Sequence, residues 1–348
     1  MKASARRYRK GTTARKSYAV GAAVAAVLLA STACGPGVAD GSAKEASTDE
    51  PVAKAAQGAR GVPSRFAVLT WNICGAIKDC PSDRKPKKKI DEIVKVVRSD
   101  PGYAVIMMQE ACKSIHSDEL ADQLGDGWVV RHRTATKVGT REKVRCPASG
   151  NKDAGVAVAM KKLPGSKFVT GSDGKPGWNL TFSSTRGLEH AHGDSDQSMS
   201  NHATQGAACL QDKGNRLLAC TSHFVHNDVA KYKEIQKASV KDLHRTTKDW
   251  QNGGYRTIVG GDFNIDVEGK RIKPLYAGNF EADSNDKCNT TGPRPRGPVG
   301  CRHVFGDKVD YVFFSDRGWK LRGGGVRYNG STKKLSDHWM LTATVRPS

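Results

Sequence analysis

Thr257-Ile258-Val259-Gly260-Gly261-Asp262-Phe263-Asn264-Ile265-Asp266 is the stretch on which the fold turns. An apolar pair, Ile258-Val259, runs into two glycines, which hand over to a carboxylate, an aromatic ring and an amide. A buried strand delivers polar side chains to the rim of a sheet in this way. The glycines let the backbone turn tightly, and the strand beneath fixes where Asp262 and Asn264 point. Taken alone, Gly-Gly-Asp also opens an ordinary turn with Asp262 as its cap.

Five other stretches decide between these alternatives. They are Leu69-Thr70-Trp71-Asn72, Met108-Gln109-Glu110, Thr221-Ser222-His223-Phe224, Val309-Asp310-Tyr311-Val312 and Leu335-Ser336-Asp337-His338. Each sets an Asn, Glu, His, Asp or Asp-His beside an apolar, strand-like run. In this order, together with Gly-Asp-Phe-Asn, they resemble the endonuclease/exonuclease/phosphatase superfamily, the metal-dependent phosphodiesterases related to DNase I. The resemblance extends from Arg65 to Arg346. One such tetrapeptide carries little weight, and six in order carry much.

Helices interspersed with many strands read as α/β or α+β with mixed sheets. The resemblance narrows this to a DNase I-like four-layer sandwich, two packed mixed β-sheets flanked by helices. Phe66 to Trp71, Tyr103 to Gln109 and Gly155 to Met160 are expected as strands, as are the segments from Tyr311 and Met340. Ile90, Ile93, Val94 and Val97 are spaced for an amphipathic helix. Ser117 is placed to cap a short helix through Leu124. A further helix opens at Asn227 or Asp228 and turns Tyr232, Ile235, Ser239 and Leu243 inward. Arg131 to Asp153 and Glu281 to His303 read as long loops, of the kind that are functional or tied down. No internal repeat is visible.

The chain has 348 residues and a formal net charge of +21. Residues 1–34 hold seven Lys and Arg and no acid; without them 49 basic residues face 35 acidic ones, leaving +14. Their basic start, the apolar run Ala19 to Ala30 and Ser31-Thr32-Ala33-Cys34 read as a signal peptide, too short to span a bilayer. Ala33-Cys34 resembles a bacterial lipoprotein site at which Cys34 carries lipid, although cleavage after Ala33 or Ala39 is the competing route. Residues 35–62 are rich in Ala, Gly, Ser and charge and form a flexible linker, and 63–348 form the catalytic domain. The expected destination is the exterior, as a secreted protein or a cell-surface lipoprotein.

Nine cysteines fit that destination: with Cys34 set aside, eight remain. No Cys-x-x-Cys spacing suggests a metal knuckle, so disulfides are expected. Cys209 and Cys220 flank Asp212-Lys213-Gly214-Asn215 symmetrically, and a hairpin sets them opposite each other. Nearness in sequence suggests Cys74–Cys80, Cys112–Cys146 and Cys288–Cys301.

Phosphodiester hydrolysis requires a water nucleophile, neutralisation of the developing charge and help for the leaving oxygen. A hard divalent cation with oxygen ligands supplies the second, Mg²⁺ in the first place with Mn²⁺ or Ca²⁺ as alternatives. The resemblance makes Glu110 the first metal ligand, with Asn72 supporting the metal or a phosphate oxygen and Asp337 completing the shell. Some relatives carry a second acid two residues after this Asn, where this chain has Cys74. Asp262 then aligns or deprotonates the attacking water, and Asn264 holds a phosphate oxygen. His338, oriented by Asp310, stabilises charge or transfers a proton. The same resemblance makes His223 a general acid or phosphate ligand, for which Glu142 is a candidate partner. His116, His132, His190, His192, His202, His226 and His244 are read as surface or core histidines, while His303 is unassigned.

The superfamily does not fix a substrate. A charge of +14 favours a polyanion, and Arg84-Lys85-Lys87-Lys88-Lys89, Arg131-His132-Arg133 and Arg294-Arg296-Arg302 could form its footprint. Lys87, Lys88, Lys89, Arg294 and Arg296 are the substrate-binding candidates. A nuclease on DNA, or on RNA, is the first expectation, acting as a monomer and touching membrane only through Cys34. A sphingomyelinase-like phospholipid phosphodiesterase needs an apolar insertion loop, and none is obvious. A non-catalytic binding module on the same scaffold has no reason to keep six motifs.

Overall fold

Strand β1 (Phe66–Asn72) is buried along its whole length, which suits Phe-Ala-Val-Leu-Thr-Trp-Asn, apolar on both faces. Helix α1 (Pro86–Arg98) follows and turns Ile90, Ile93, Val94 and Val97 inward, as the spacing predicts. Pro86 suits a first turn that needs no N–H, and Lys95 and Arg98 complement the dipole at the last. The helix returns the chain to β2 (Tyr103–Cys112), parallel to β1. The structure is a computed structural model describing residues 61–76, 85–137, 140, 142–183, 204, 206–226, 230–266, 269–282, 308–327 and 334–348.

After the short helix α2 (Asp118–Leu124), β3 (Trp128–Thr134) and β4 (Ala154–Lys161) extend this sheet. The second sheet contains β5 (Trp178–Thr181), β6 (Gly206–Asp212) and β7 (Leu217–His223). Helix α3 (Ala230–Asn252) then leads to β8 (Arg256–Asp262), which is parallel to β7. Strands β9 (Asn279–Glu281) and β10 (Asp310–Ser315) complete that sheet. The last two strands, β11 (Trp319–Arg327) and β12 (Met340–Pro347), return to the first. The orders are β11-β12-β1-β2-β4-β3 and β5-β6-β7-β8-β10-β9. Neighbour for neighbour, β12-β1-β2-β4 and β6-β7-β8-β10 share one pattern of parallel and antiparallel pairing. The topology repeats although the sequence shows no repeat.

Three apolar layers hold the sheets and helices. Val68, Met107, Val158, Leu210, Ile258, Val312 and Phe314 fill the space between the sheets. Leu69, Trp71 and Ile106 meet Ile90, Ile93 and Val97 of α1 on one outer face. Val259, Phe263 and Phe313 meet Val240 and Leu243 of α3 on the other. Each fully buried side chain of this size contributes about 1.5–3 kcal/mol. The result is the expected four-layer sandwich.

Several local expectations are corrected. Ser117 does not cap α2; its hydroxyl lies 2.8 Å from His132 Nδ1, and Asp118 and Glu119 supply the negative charge of the first turn. The supposed loop from Arg131 begins inside β3. Arg131 pairs with Asp173 at 2.8 Å, and Arg133 donates to the Leu180 carbonyl at 2.8 Å. These buried arginines link β3 to residues of and beside β5, so they are no surface footprint for phosphate. Lys89, expected to contact substrate, is fully buried, its ammonium donating to the carbonyls of Ile73 and Cys74 at 2.8 and 2.9 Å. It braces the end of β1. Arg294 and Arg296 lie outside the described residues, as do His190, His192, His202 and His303.

Cys209 and Cys220 are paired in register and form a disulfide with Cα atoms 4.2 Å apart. Cys112 and Cys146 form another. Cys74 is disulfide-bonded too; Cys80, its expected partner, lies outside the described residues with Cys288, Cys301 and Cys34.

Candidate active site

Asp262 ends β8 between two functional neighbours, in register with His223 on β7 and with Asp310 on β10. The glycines before it permit this placement. A Cβ on Gly261, whose φ is 143°, would stand 2.0 Å from the Ser222 carbonyl oxygen, so β7 and β8 approach there as only glycine allows. Asn264, with φ 50°, turns back and donates its backbone N–H to Asp262 Oδ1 at 2.9 Å. Its side-chain amide donates to the Phe224 carbonyl at 2.9 Å. The expected phosphate ligand Asn264 is thus part of the frame that aims Asp262.

The other sheet meets this strand end across the seam. Asn72, at the end of β1, donates to Asp262 Oδ2 at 3.0 Å and to Glu110 Oε1 at 3.2 Å. Its side-chain oxygen Oδ1 accepts from the Cys74 N–H at 2.9 Å, an Asx turn that fixes the amide. The β2–β4 ladder breaks between Met108 and Ala111, and within that bulge Glu110 adopts a left-handed φ of 53°. Such a conformation costs on the order of 1–3 kcal/mol and re-aims the side chain. His223 Nε2 stands 3.4 Å from Asp262 Oδ2 and 3.9 Å from Glu110 Oε1. His338 Nε2 is 3.6 Å from the same Asp262 oxygen, and its Nδ1 is 2.8 Å from Asp310 Oδ2. All six of these side chains are buried.

Sequence reasoning overlooked three supporting residues inside motifs it had singled out. Gln109 donates to Thr70 at 3.1 Å and to Thr221 at 2.8 Å, tying both sheets together beneath the site. Ser336 donates to the Asn72 carbonyl at 2.7 Å and accepts from the His338 N–H at 3.0 Å. The Trp71 indole donates to the His338 carbonyl at 2.9 Å. Their adjacency to the reactive residue was the available signal. Glu142 does not orient His223: it is exposed and pairs with Lys137 and Lys152 at 3.2 and 2.9 Å. His116 and His132 belong to the framework, accepting or sharing hydrogen bonds with the Cys112 N–H and Ser117, and burial lowers their pKa values to about 3 and about 4.

Charge is unevenly distributed among the reactive groups. Burial opposes ionisation of Asp262, but His338, His223 and Asn72 outweigh it and hold its pKa well below the usual carboxylate range. Burial likewise opposes a charge on His338, yet Asp310 and Asp262 hold its pKa well above the ordinary value. His223 is raised for the same reason, with burial opposing and Asp262 and Glu110 favouring its charge. Glu110 goes the other way: burial first, and then the Asp337 charge, push its pKa up.

These observations test whether a divalent cation fits. Glu110 Oε2 is buried and has no hydrogen-bond partner among the described residues, and a second carboxylate, Asp337, bears on it. A buried Glu110 oxygen under the influence of the Asp337 charge, with the Asn72 amide bonded to the other Glu110 oxygen, suits a hard cation with few carboxylate ligands. Asp262, Asp310 and His338 also bring ligand atoms within 4.8 Å of one another. There the hydrogen bond between Asp310 Oδ2 and His338 Nδ1 orients the ring, as in a dyad, while Asp310 Oδ1 and His338 Nε2 take no part in it.

Helix-flanked sheets whose strand ends combine an Asp–His dyad with an Asn–Glu pair define a hydrolase of phosphate esters in the DNase I-like class. The sequence model of the Endonuclease/Exonuclease/phosphatase family matches residues 69–338. The chain belongs to that family. Among solved structures, the human Nocturnin catalytic domain with bound sulfate is 15% identical, with TM-score 0.55, covering 82% of this chain and 94% of that one. D. rerio TDP2 complexed with single strand DNA product is 13% identical, with TM-score 0.55, covering 82% and 100%. The endonuclease/exonuclease/phosphatase from Beutenbergia cavernae DSM 12333 is 18% identical, with TM-score 0.55, covering 82% and 72%. Comparison with curated protein sequences finds no match.

Proposed function

We propose that the protein is an exported, Mg²⁺-dependent nuclease that hydrolyses DNA, with RNA as the second candidate. The observation that carries this is the convergence of Asn72, His223 and His338 on one oxygen of Asp262, with Glu110 alongside. Held by Glu110, Asp337 and Asn72, Mg²⁺ would neutralise charge developing on the phosphate. Asp262 remains ionised at neutral pH and accepts a hydrogen bond from the attacking water. It aligns that water and takes up its proton as the new P–O bond forms. Asp310 holds His338 Nδ1–H, which leaves Nε2–H to face the phosphate. His338 and His223 donate to phosphate oxygens, one of them protonating the leaving oxygen.

Nucleic acid as substrate is supported by the +14 balance and by one groove. Lys85, Lys88, Lys95 and Lys334, with Asp91, Glu92 and Leu335, line a groove of about 360 Å³ beside α1, four basic side chains against two acidic ones. Leu335 leads directly into Ser336, Asp337 and His338, so the groove adjoins the site in the chain. Lys88 stays in the footprint, whereas exposed Lys87 is engaged by Asp91 at 2.6 Å and Glu119 at 3.3 Å. About six phosphate contacts imply a loss of about 10³ in affinity between roughly 50 and 200 mM salt. Changing Lys85, Lys88 and Lys334 to Ala is expected to flatten that dependence by about one slope unit per lysine, with the metal requirement intact. Duplex cleavage across a salt series measures it. Cleavage of sphingomyelin without nicking of DNA or RNA would overturn the substrate assignment.

Export rests on residues 1–34, with Cys34 as the lipid-bearing residue. The exported protein is expected to begin at Cys34 and to partition with membranes, and Cys34→Ser to release it or block its maturation. A mature N-terminus beyond Cys34 removes the anchor.

A further inference from the structure

Each metal-facing strand end is followed two residues later by a disulfide-bonded cysteine: Asn72-Ile73-Cys74 and Glu110-Ala111-Cys112. Both places are strained, with φ 49° at Cys74 and 53° at Glu110. Glu110 lies at the register shift of the β2–β4 ladder, without a partner of its own on β4 before pairing resumes at Ala111 and Cys112. Further contacts surround the bend. The Gly75 N–H donates to the Glu110 carbonyl at 3.0 Å, and Cys112 Sγ lies 3.3 Å from the Gly75 carbonyl oxygen. The Cys112–Cys146 disulfide is wholly buried in a small cluster with Ala76, Ala135 and Ala154. It fastens the residues just past Glu110 to the segment that leads into β4.

We propose that Cys112 and Cys146 are positioning residues: their disulfide holds Glu110 in its left-handed bend and so aims its carboxylate at the metal. This rests on the assignment of Glu110 as a metal ligand. The Cys209–Cys220 disulfide provides the contrast. It joins partners already in register within an unbroken hairpin, and neither cysteine adjoins a left-handed residue. Closing a loop restrains the unfolded chain in both cases, so loss of stability alone does not distinguish them. Metal affinity does.

The experiment measures Mg²⁺ binding by titration calorimetry, below the melting temperature of each variant, together with kcat and KM on an oligonucleotide. Cys112→Ala/Cys146→Ala is expected to bind Mg²⁺ about 10–100-fold more weakly, the range seen when residues behind a metal ligand are lost. The effect on catalysis should fall on kcat, be recovered at high Mg²⁺ and leave KM for the oligonucleotide nearly unchanged. Cys209→Ala/Cys220→Ala should lose melting temperature and keep its Mg²⁺ affinity. A second variant covers the case in which the first does not fold. Gly75→Ala retains both disulfides but sets a Cβ 2.8 Å from the Glu110 carbonyl oxygen and 2.4 Å from the His116 ring. It too should weaken Mg²⁺ binding. Unchanged affinity in Cys112→Ala/Cys146→Ala, equal weakening in both double variants, or, where the first cannot fold, unchanged affinity in Gly75→Ala overturns the proposal. Absence of Mg²⁺ binding in the parent protein defeats the metal assignment itself and this proposal with it.

Discussion

His338→Ala and Asp262→Ala are each expected to fold and to lose about 10²–10⁴-fold in kcat on a phosphodiester, the usual contribution of a positioned proton-transfer group. The two side chains face each other at 3.6 Å in one charged cluster, so the double variant should lose little more than either single one. Asp310→Asn tests the mechanism more finely. Asp310 is the largest influence opposing burial at His338, and with Asp262 it keeps the imidazole protonated well above its ordinary range. Activity that needs the protonated ring is present at low pH and lost as pH rises through that pKa. Removing the Asp310 charge lowers the pKa, so the alkaline limb of the pH–rate profile is expected to move to lower pH. A profile that stays in place would separate Asp310 from His338 function, and full activity in Asp262→Ala would sink the whole assignment.

Glu110→Gln is expected to abolish measurable Mg²⁺ binding and to reduce activity at least about 10²-fold, because the metal loses its carboxylate ligand and its charge neutralisation. EDTA should have the same effect on the parent protein. Stability should change in the opposite direction. Burial and Asp337 raise the Glu110 pKa, so the folded metal-free protein holds a proton that the unfolded chain releases. That difference makes metal-free stability fall as pH rises from the ordinary glutamate range through the raised pKa. Glu110→Gln removes the penalty, and in EDTA at neutral pH its Tm should exceed that of the parent. A lower Tm would show that Glu110 is a structural acid. The same raised pKa predicts that Mg²⁺ affinity in the parent increases with pH, since binding displaces the proton.

Much of the site was legible because its chemistry is local to strand ends. An apolar run identifies a buried strand, and the polar residue that closes it stands at the rim whatever the strand pairs with, as Asn72, His223 and Asp262 do. Cys209–Cys220 was legible for a similar reason, since a symmetrical hairpin brings its cysteines opposite each other. The lysine run 87–89 was misjudged at one position. Helical periodicity turns Lys89 inward beside Ile90 and Ile93, where its ammonium reaches the carbonyls of Ile73 and Cys74. Nothing in the composition of a basic run distinguishes the one lysine that is buried. Arg131 and Arg133 were misread because alternation in a short edge strand looks like a charged loop when its partners, Asp173 and Leu180, are about forty residues away.

By itself, the sequence determined the strand-ending residues, their order along the chain and the family they denote, because each depends on a few neighbouring residues. Only the tertiary structure decided how they meet. Register sets His223 and Asp310 on either side of Asp262, and the seam between the sheets brings in Asn72, whose amide joins an Asp262 oxygen to Glu110. The left-handed bend of Glu110 also belongs to the folded state, since a non-glycine residue remains there only while its surroundings impose it. Register, bulges and sheet packing arise from contacts between residues far apart in the chain, which local pattern does not encode.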